Sequence, residues 1–452
     1  MKFVDRIEEQ QRLNAALNAE TPAFIVVYGR RRIGKSTLIK KVLSPADVYY
    51  MADQTERSHQ IELLAKGIGL RIDGFDRVVY PDWQALFEAL NFRTKERFTL
   101  CLDEFPYLAK SSPELPALLQ KLIDAKSLRY NIVLCGSSQQ LMQGLVIDAS
   151  SPLYGRADQI LKLSPIPLHY LHQAAGCSAQ SAIEEYAVWG GIPRYWEIRL
   201  QSASLMEAIA YNLLDAQGLL FEEPYRLLID DMRDIVQATT LLSFIGNGVN
   251  RISEIAARAN KPATSLSGPL DKLITLGYIQ REIPFGESPR NSKKGLYKIS
   301  DPLMDFYFRF VVPNRSLIEL GRRKVVMQEV TQRFNGYVSR HWEELCRRAV
   351  SGQQLMGRQY GMASRWWGSV SRNEQMEIDV VAESTDGKYL LAGECKWADK
   401  EDVEYLLKQV AEKAKKWPFV ANKEIVPLVF LKNNKSSGEN IILPDQVIEM
   451  LK

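Results

Sequence analysis

Short, nearly unbroken apolar runs alternate with amphipathic stretches over the first 165 residues. Phe24–Tyr28, Val48–Met51, Thr99–Leu102, Ile132–Cys135 and Gln159–Leu163 are rich in apolar and β-branched residues, the pattern of strands covered by helices on both faces. Helical stretches separate them, among them Lys35–Val42, so residues 1–165 predict an α/β fold with a parallel sheet. Residues 166–238 turn helical, with Ala182–Trp189, Ser204–Asp215 and Tyr225–Ala238 as the clearest stretches. Residues 239–312 predict two short helices and a hairpin. Residues 330–452 open with a helix over Tyr337–Ser351, then give a hairpin, a helix and a strand over Ile425–Phe430.

A chain of 452 residues is too long for one core and predicts several domains. Its 46% hydrophobic and 25% charged residues exclude extensive disorder. No apolar run reaches membrane-spanning length, and Met1–Glu9 is too polar for a signal peptide, so a soluble, cytoplasmic protein is expected. The five cysteines are scattered and never form C-x-x-C, which argues against a disulfide framework or a zinc site. His169 and His172 lack neighbouring ligands and read as structural. A net charge of +4 permits contact with nucleic acid without arguing for it.

Candidate chemistry begins after the first strand. Gly29-Arg30-Arg31-Arg32-Ile33-Gly34-Lys35-Ser36 fits G-x-x-x-x-G-K-[ST], followed by Thr37, between a predicted strand and a predicted helix. Glycines let backbone N–H groups curl around phosphates, and the helix N-terminus favours negative charge. Lys35 is placed for the β/γ-phosphates of ATP and Ser36 for Mg²⁺. The strand Phe98–Leu102 ends in Asp103, suited to the Mg²⁺ shell, and Glu104, suited to polarising the attacking water. Ser137, at the end of the next strand, is the first candidate for a γ-phosphate sensor. Arg156 either supplies transition-state charge or pairs with an acidic surface.

With Phe3-Val-Asp5-Arg6-Ile-Glu8, Leu134-Cys-Gly-Ser-Ser138, Leu153-Tyr-Gly-Arg156 and Trp189-Gly-Gly-Ile-Pro193, these motifs resemble the archaeal-type ATPase family of the AAA+/STAND group, which also occurs in bacteria. The resemblance implies that Arg6 borders the adenine and that Pro193, in a helical lid, touches the nucleotide. Asp5 stands where STAND proteins usually carry Gly.

Within 239–312, Ile252–Ala259, a turn at Asn260-Lys-Pro, Thr264–Leu276 and strands at Ile279–Pro284 and Gly295–Ile299 follow the order of a winged helix-turn-helix. Arg290, Lys293 and Lys294 would form a basic wing, diluted by Asp271, Glu282 and Glu287. Gly268-Pro269 lies awkwardly inside the second helix and suggests a start nearer Gly268.

In the C-terminal hairpin, Asp386-Gly387 reads as a two-residue type I′ turn. That turn puts Asp379 opposite Glu394 and Glu377 opposite Lys396, all on one face. Facing carboxylates suit a hard cation, Mg²⁺ or Mn²⁺, with Lys396 holding a water or phosphate; a plain Glu377–Lys396 ion pair is the alternative. Asp379 and Glu394-Cys-Lys396, with Glu343 on the preceding helix as a further acidic ligand, resemble the PD-(D/E)xK nuclease superfamily.

The expected architecture is thus a P-loop core (1–165), a helical lid (166–238), a winged helix (239–312) and a restriction-endonuclease-like α/β domain (330–452). The expected function is ATP hydrolysis by a chain acting on DNA, with a metal-dependent nuclease-like centre and a homo-oligomer among its assemblies. A regulatory switch whose last domain only binds DNA or a protein partner is the alternative.

Overall fold

The computed structural model describes residues 4–232, 234–288, 290, 292, 294–372, 374–417, 420, 422–433 and 438–452. The chain divides into two compact units, one of residues up to 165 together with 192–194, the other of 166–191 together with 195–452.

In the first unit the strands β1 (Phe24–Gly29), β2 (Val48–Met51), β3 (Thr99–Asp103), β4 (Asn131–Gly136) and β5 (Gln159–Leu163) form one sheet, ordered β2-β3-β4-β1-β5. Every pairing is parallel. The strands β1, β3 and β4 are buried along their whole length, whereas β2 and β5 alternate, as edge strands should. Val26, Leu100 and Leu134 sit in a core completed by Leu64, Trp83 and Leu86 from flanking helices. Each such side chain contributes roughly 1.5–3 kcal/mol through burial. Because the sheet is parallel, the C-terminal ends of β1, β3 and β4 open on one edge, where Gly29 and Asp103 end their strands and Ser137 follows β4.

The second unit begins with helices Leu168–Ala175 and Ala179–Trp189, the rest of Pro193–Arg199 from Tyr195 on, and Leu205–Asn212. The stretch expected as one helix over Tyr225–Ala238 is two, Glu223–Asp231 and Ile235–Gly246. Met232 is extended, and the Asp234 side chain accepts from the Gln237 amide, capping a new start. Helices Ile252–Ala259 and Ala263–Thr275 then precede the antiparallel pair β6 (Ile279–Glu282) and β7 (Leu296–Ile299). The second helix runs through Pro269 instead of starting near Gly268. Pro269 cannot bond the Ser265 carbonyl, but Ser265 is exposed and water can satisfy that group.

The helix expected from Tyr337 begins fourteen residues earlier and spans Arg323–Val350. Gly336 looks like a break, at a cost of about 1 kcal/mol in a helix interior. Val326, Val330 and Phe334 are buried on the same face as Val338, Trp342 and Leu345, and this packing outweighs it. After the short pair β8 (Gln354–Leu355) and β9 (Arg358–Gln359), a mixed sheet follows the order β10 (Ser364–Ser369), β11 (Gln375–Glu383), β12 (Tyr389–Lys396), β13 (Glu424–Leu431) and β14 (Ile441–Ile442). The pairs β10–β11 and β11–β12 are antiparallel; β12–β13 and β13–β14 are parallel. The helix Val403–Lys415 supplies the crossover that a parallel β12–β13 pair requires. Trp366, Ile378, Leu390, Val410 and Trp417 form the core on this side, with Phe285 packed against it.

The β11–β12 turn is not the expected two-residue type I′. The Gly387 amide bonds the Ser384 carbonyl, Ser384 pairs with Tyr389, and Asp386 does not adopt the positive φ that type I′ demands. Gly387 alone is left-handed, at φ 71°. The four-residue loop has the same centre as the expected turn, so the register is the expected one, with Val380 opposite Gly393.

Candidate functional site

The loop after β1 is shaped by close approach. A side chain at Gly29 would bring Cβ to 2.8 Å from the Leu163 carbonyl on β5. Arg32 and Gly34 are left-handed, at φ 67° and 95°, which curls the loop before the helix Lys35–Val42. Lys35 is buried, and its Nζ donates to the Gly29 and Arg30 carbonyls at 3.0 and 3.1 Å. Arg30 and Ile33 are buried, Arg32 half-buried, and Arg31 and Thr37 exposed. Arg6, also buried, donates to the Ile33 and Ser164 carbonyls and pairs with Glu9 at 2.8 Å, tying the helix Ile7–Leu17 to the loop. Pro193 opens the helix Pro193–Arg199 and groups with the P-loop unit.

At the end of β3 the Asp103 carboxylate gathers donors. Ser36 Oγ donates to its Oδ2 at 2.7 Å, the Tyr49 hydroxyl donates to the same oxygen, and the Glu104 amide donates to Oδ1 at 2.9 Å. Burial pushes the Asp103 pKa up, but hydrogen bonds from Cys135, Tyr49, Ser36 and Glu104 N–H outweigh it, leaving the group below the usual carboxylate value. Burial and the bond to Asp103 push the Tyr49 phenol far up, so it stays a donor. Hydroxyl and carboxylate oxygens here fit a hard cation such as Mg²⁺, with Ser36 and Asp103 as its protein partners. Glu104 is left-handed at φ 55°, and its carboxylate accepts from Ser137. Ser138 instead caps the next helix, its Oγ accepting from the Leu141 amide at 3.4 Å. Arg156 forks onto Asp124 at 2.8 and 2.9 Å on the surface. Tyr49 and Cys135 escaped the motif reading, since only strand pairing brings them to Asp103.

In the second unit Asp379, Glu394, Lys396 and Glu343 come together. Asp379 Oδ2 accepts from the Cys395 amide at 2.9 Å. Burial and then the Glu394 charge push its pKa up. Burial and then the Asp379 charge push Glu343 up to about 7. Glu394 goes the other way: burial would raise it, but bonds from Lys396 Nζ at 2.9 Å and Lys413 Nζ at 2.8 Å hold it below its ordinary value. Glu377 does not reach Lys396; Arg365 on β10 takes it. A guanidinium one strand away competes better than the directly opposed ammonium, which Glu394 holds. Sequence reading also missed Lys413 and Arg347. Arg347 donates to the Asp379 carbonyl at 2.9 Å and lies 3.9 Å from Glu343, one turn away on its own helix. Among the described residues no group of three or more His, Cys, Asp or Glu side chains is arranged to hold a metal ion. At the β6–β7 loop, Lys294 pairs with Glu287 at 2.7 Å, while Lys293 lies outside the described residues, as does Phe3. No helix among the described residues is long and apolar enough to cross a membrane.

The Gly29–Ser36 loop at the end of a central parallel strand, with Asp103 and Glu104 beside it, defines a P-loop NTP hydrolase, an ATPase. A family described as an ATPase domain predominantly from Archaea matches residues 3–197, and one of archaeal and bacterial proteins of unknown function matches residues 307–413. The uncharacterized protein MJECL04 of Methanocaldococcus jannaschii is 30% identical over 409 residues, covering 88% of each chain. The chain belongs to the same family as this archaeal protein, with an archaeal-type AAA+/STAND P-loop ATPase fold. The Walker-type ATPase PABY2304 of Pyrococcus abyssi shares that fold, with a TM-score of 0.54 at 23% identity over 68% of this chain and 96% of its own.

Proposed function

We propose that this ATPase acts on DNA and that its C-terminal sheet carries a metal-dependent, nuclease-like centre. The observation that carries the reading is the meeting of Asp379 and Glu394 across β11–β12, with Lys396 on the same strand as Glu394 and Glu343 approaching from the helix Arg323–Val350. Oxygen donors of this kind fit Mg²⁺ or Mn²⁺. A bound cation would supply Lewis-acid stabilisation of the charge on a phosphodiester and a more acidic water. Asp379 would stay oriented by the Cys395 amide, and Lys396 would hold an anionic oxygen or a water beside Glu394. Glu343, raised by its surroundings, is suited to holding a proton near neutral pH.

DNA contact is supported by the helix pair Ile252–Ala259 and Ala263–Thr275 followed by the β6–β7 hairpin, the element order of a winged helix-turn-helix. At the other site, Lys35 would hold ATP phosphates, Ser36 and Asp103 would position Mg²⁺, and Glu104 would orient the attacking water. Ser137 would report on the γ-phosphate through Glu104. ATP would bias the lid and the oligomeric state.

A second reading, a centre that binds DNA or a protein partner without cutting, is favoured by one observation. Each Glu394 oxygen is held by a lysine, Lys396 or Lys413. Incubation of the full chain with supercoiled plasmid, Mg²⁺ or Mn²⁺, with and without ATP, separates the two. Nicking that vanishes in Asp379→Ala, with ATP hydrolysis unchanged, supports the nuclease. Plasmid retention without nicking, in wild type and variant alike, leaves the binding reading.

A further inference from the structure

Two cavities of about 240 and 290 Å³ adjoin in the second unit and share Arg309 and Arg340. The 240 Å³ cavity also reaches β7, and its lining carries six lysine or arginine side chains against three carboxylates. Most of those cations are neutralised in place. Arg347 and Arg348 pair with Glu344, Arg365 with Glu377, and Lys298 with Glu282 at 2.6 Å. The charge that remains is concentrated where the cavities meet. There Asp305 bonds Arg309 at 2.9 Å and lies 3.3 Å from His341, and Glu343 is the other carboxylate that acts on Arg340.

Arg309 is nine-tenths buried, and its Nε finds no hydrogen-bond partner among the described residues. A buried guanidinium N–H normally has one, because a donor of a charged group left dry keeps its full desolvation penalty. Arg340, one turn before Glu344, makes no ion pair among the described residues. Desolvation and then the like charge of Arg309 hold its pKa below the usual arginine value. Two guanidiniums therefore lie close enough to repel, with Asp305 and Glu343 as the carboxylates acting on Arg340 and open space on either side. An acceptor-rich anion would satisfy the free donor and relieve the repulsion at once. Phosphate does this best, since its oxygens match the guanidinium fork.

We propose that the cavity at Arg309 and Arg340 is a binding site for a small phosphate-bearing anion, inorganic phosphate or the phosphate of a mononucleotide, separate from the P-loop. The volume supports a small ligand: drug-sized sites run to roughly 300–1,000 Å³, and this one lies at or below that floor. A nucleic-acid duplex does not enter it. The inference does not rest on the nuclease reading: the cavity shares Glu343 with the Asp379 cluster, but neither arginine belongs to it.

The test uses the full-length chain carrying Lys35→Ala, which silences the P-loop, titrated calorimetrically with inorganic phosphate and separately with AMP. One saturable site per chain is expected, weakened at least ~10-fold by adding Arg340→Gln. Tighter phosphate identifies the free anion, tighter AMP the nucleotide, and both support the site. Because loss of Arg309 alone would strand buried Asp305, the paired change Asp305→Asn with Arg309→Gln serves as the second variant, checked for folding by circular dichroism. Failure of both ligands to bind the Lys35→Ala protein overturns the proposal. So does binding that Arg340→Gln leaves unchanged, or binding of a DNA oligonucleotide alone.

Discussion

The carboxylate of Glu104 accepts two hydrogen bonds from Ser137, one from its amide N–H at 3.1 Å and one from its hydroxyl at 2.9 Å. The two residues follow neighbouring parallel strands, and the left-handed backbone of Glu104 turns its side chain toward the β4 end. As the proposed base, Glu104 is oriented by these bonds and must release Ser137 to take a water. Glu104→Gln should keep ATP affinity within about threefold while lowering kcat by ~10²-fold or more. Ser137→Ala should change kcat by about tenfold and leave affinity alone. Single-turnover hydrolysis and fluorescent-nucleotide binding check both; equal kcat in Glu104→Gln and wild type would remove Glu104 from catalysis.

Lys35→Ala should weaken ATP binding by at least ~10²-fold, because charge-assisted bonds to phosphate are worth roughly 1.5–3 kcal/mol each. It should also lower stability by about 1–3 kcal/mol, since Nζ ties two loop carbonyls together. Equilibrium dialysis and urea unfolding report the two effects separately.

Glu344 gives a pH prediction. Burial would raise it, but Arg347 and Arg348 hold it at about 2 against an ordinary 4.5. A depressed carboxylate pKa stabilises fully above its unfolded value, and that stability is lost as pH falls through the folded one. At most about 3 kcal/mol should therefore disappear between pH 5 and pH 2. Glu344→Gln should be less stable than wild type at pH 6, with the gap narrowing below pH 5 and closing only as pH falls through about 2, read from urea midpoints. A gap that widens on acidification would contradict the pairing.

Tyr337 offers a purely structural test. Its ring is buried, and its hydroxyl donates to the Ala187 carbonyl at 2.6 Å, with the Pro302 carbonyl at 3.1 Å. Tyr337→Phe leaves both carbonyls without that donor and should cost about 1–3 kcal/mol. An unchanged unfolding midpoint would show that neither bond matters.

The sequence by itself determined the elements whose signal is local. The strand runs, the Gly29–Ser36 loop and the Asp103-Glu104 pair are short, continuous patterns, and all five strands of the first sheet appear within a residue of their predicted bounds. The facing of Asp379 and Glu394 was equally legible, because hairpin register depends on the centre of a turn and survives a wrong turn type. Only the tertiary structure decided which partner each charged side chain takes. Glu377 goes to Arg365, Glu394 to Lys413 as well as Lys396, Asp103 to Tyr49, and Arg156 to Asp124. Tertiary packing also carried the helix Arg323–Val350 through Gly336 and broke the one after Glu223 at Met232. Charges reach several ångströms in any direction and choose among neighbours that only folding assembles. A backbone pattern repeats along the chain and can be read there; an ion pair between residues tens of positions apart cannot.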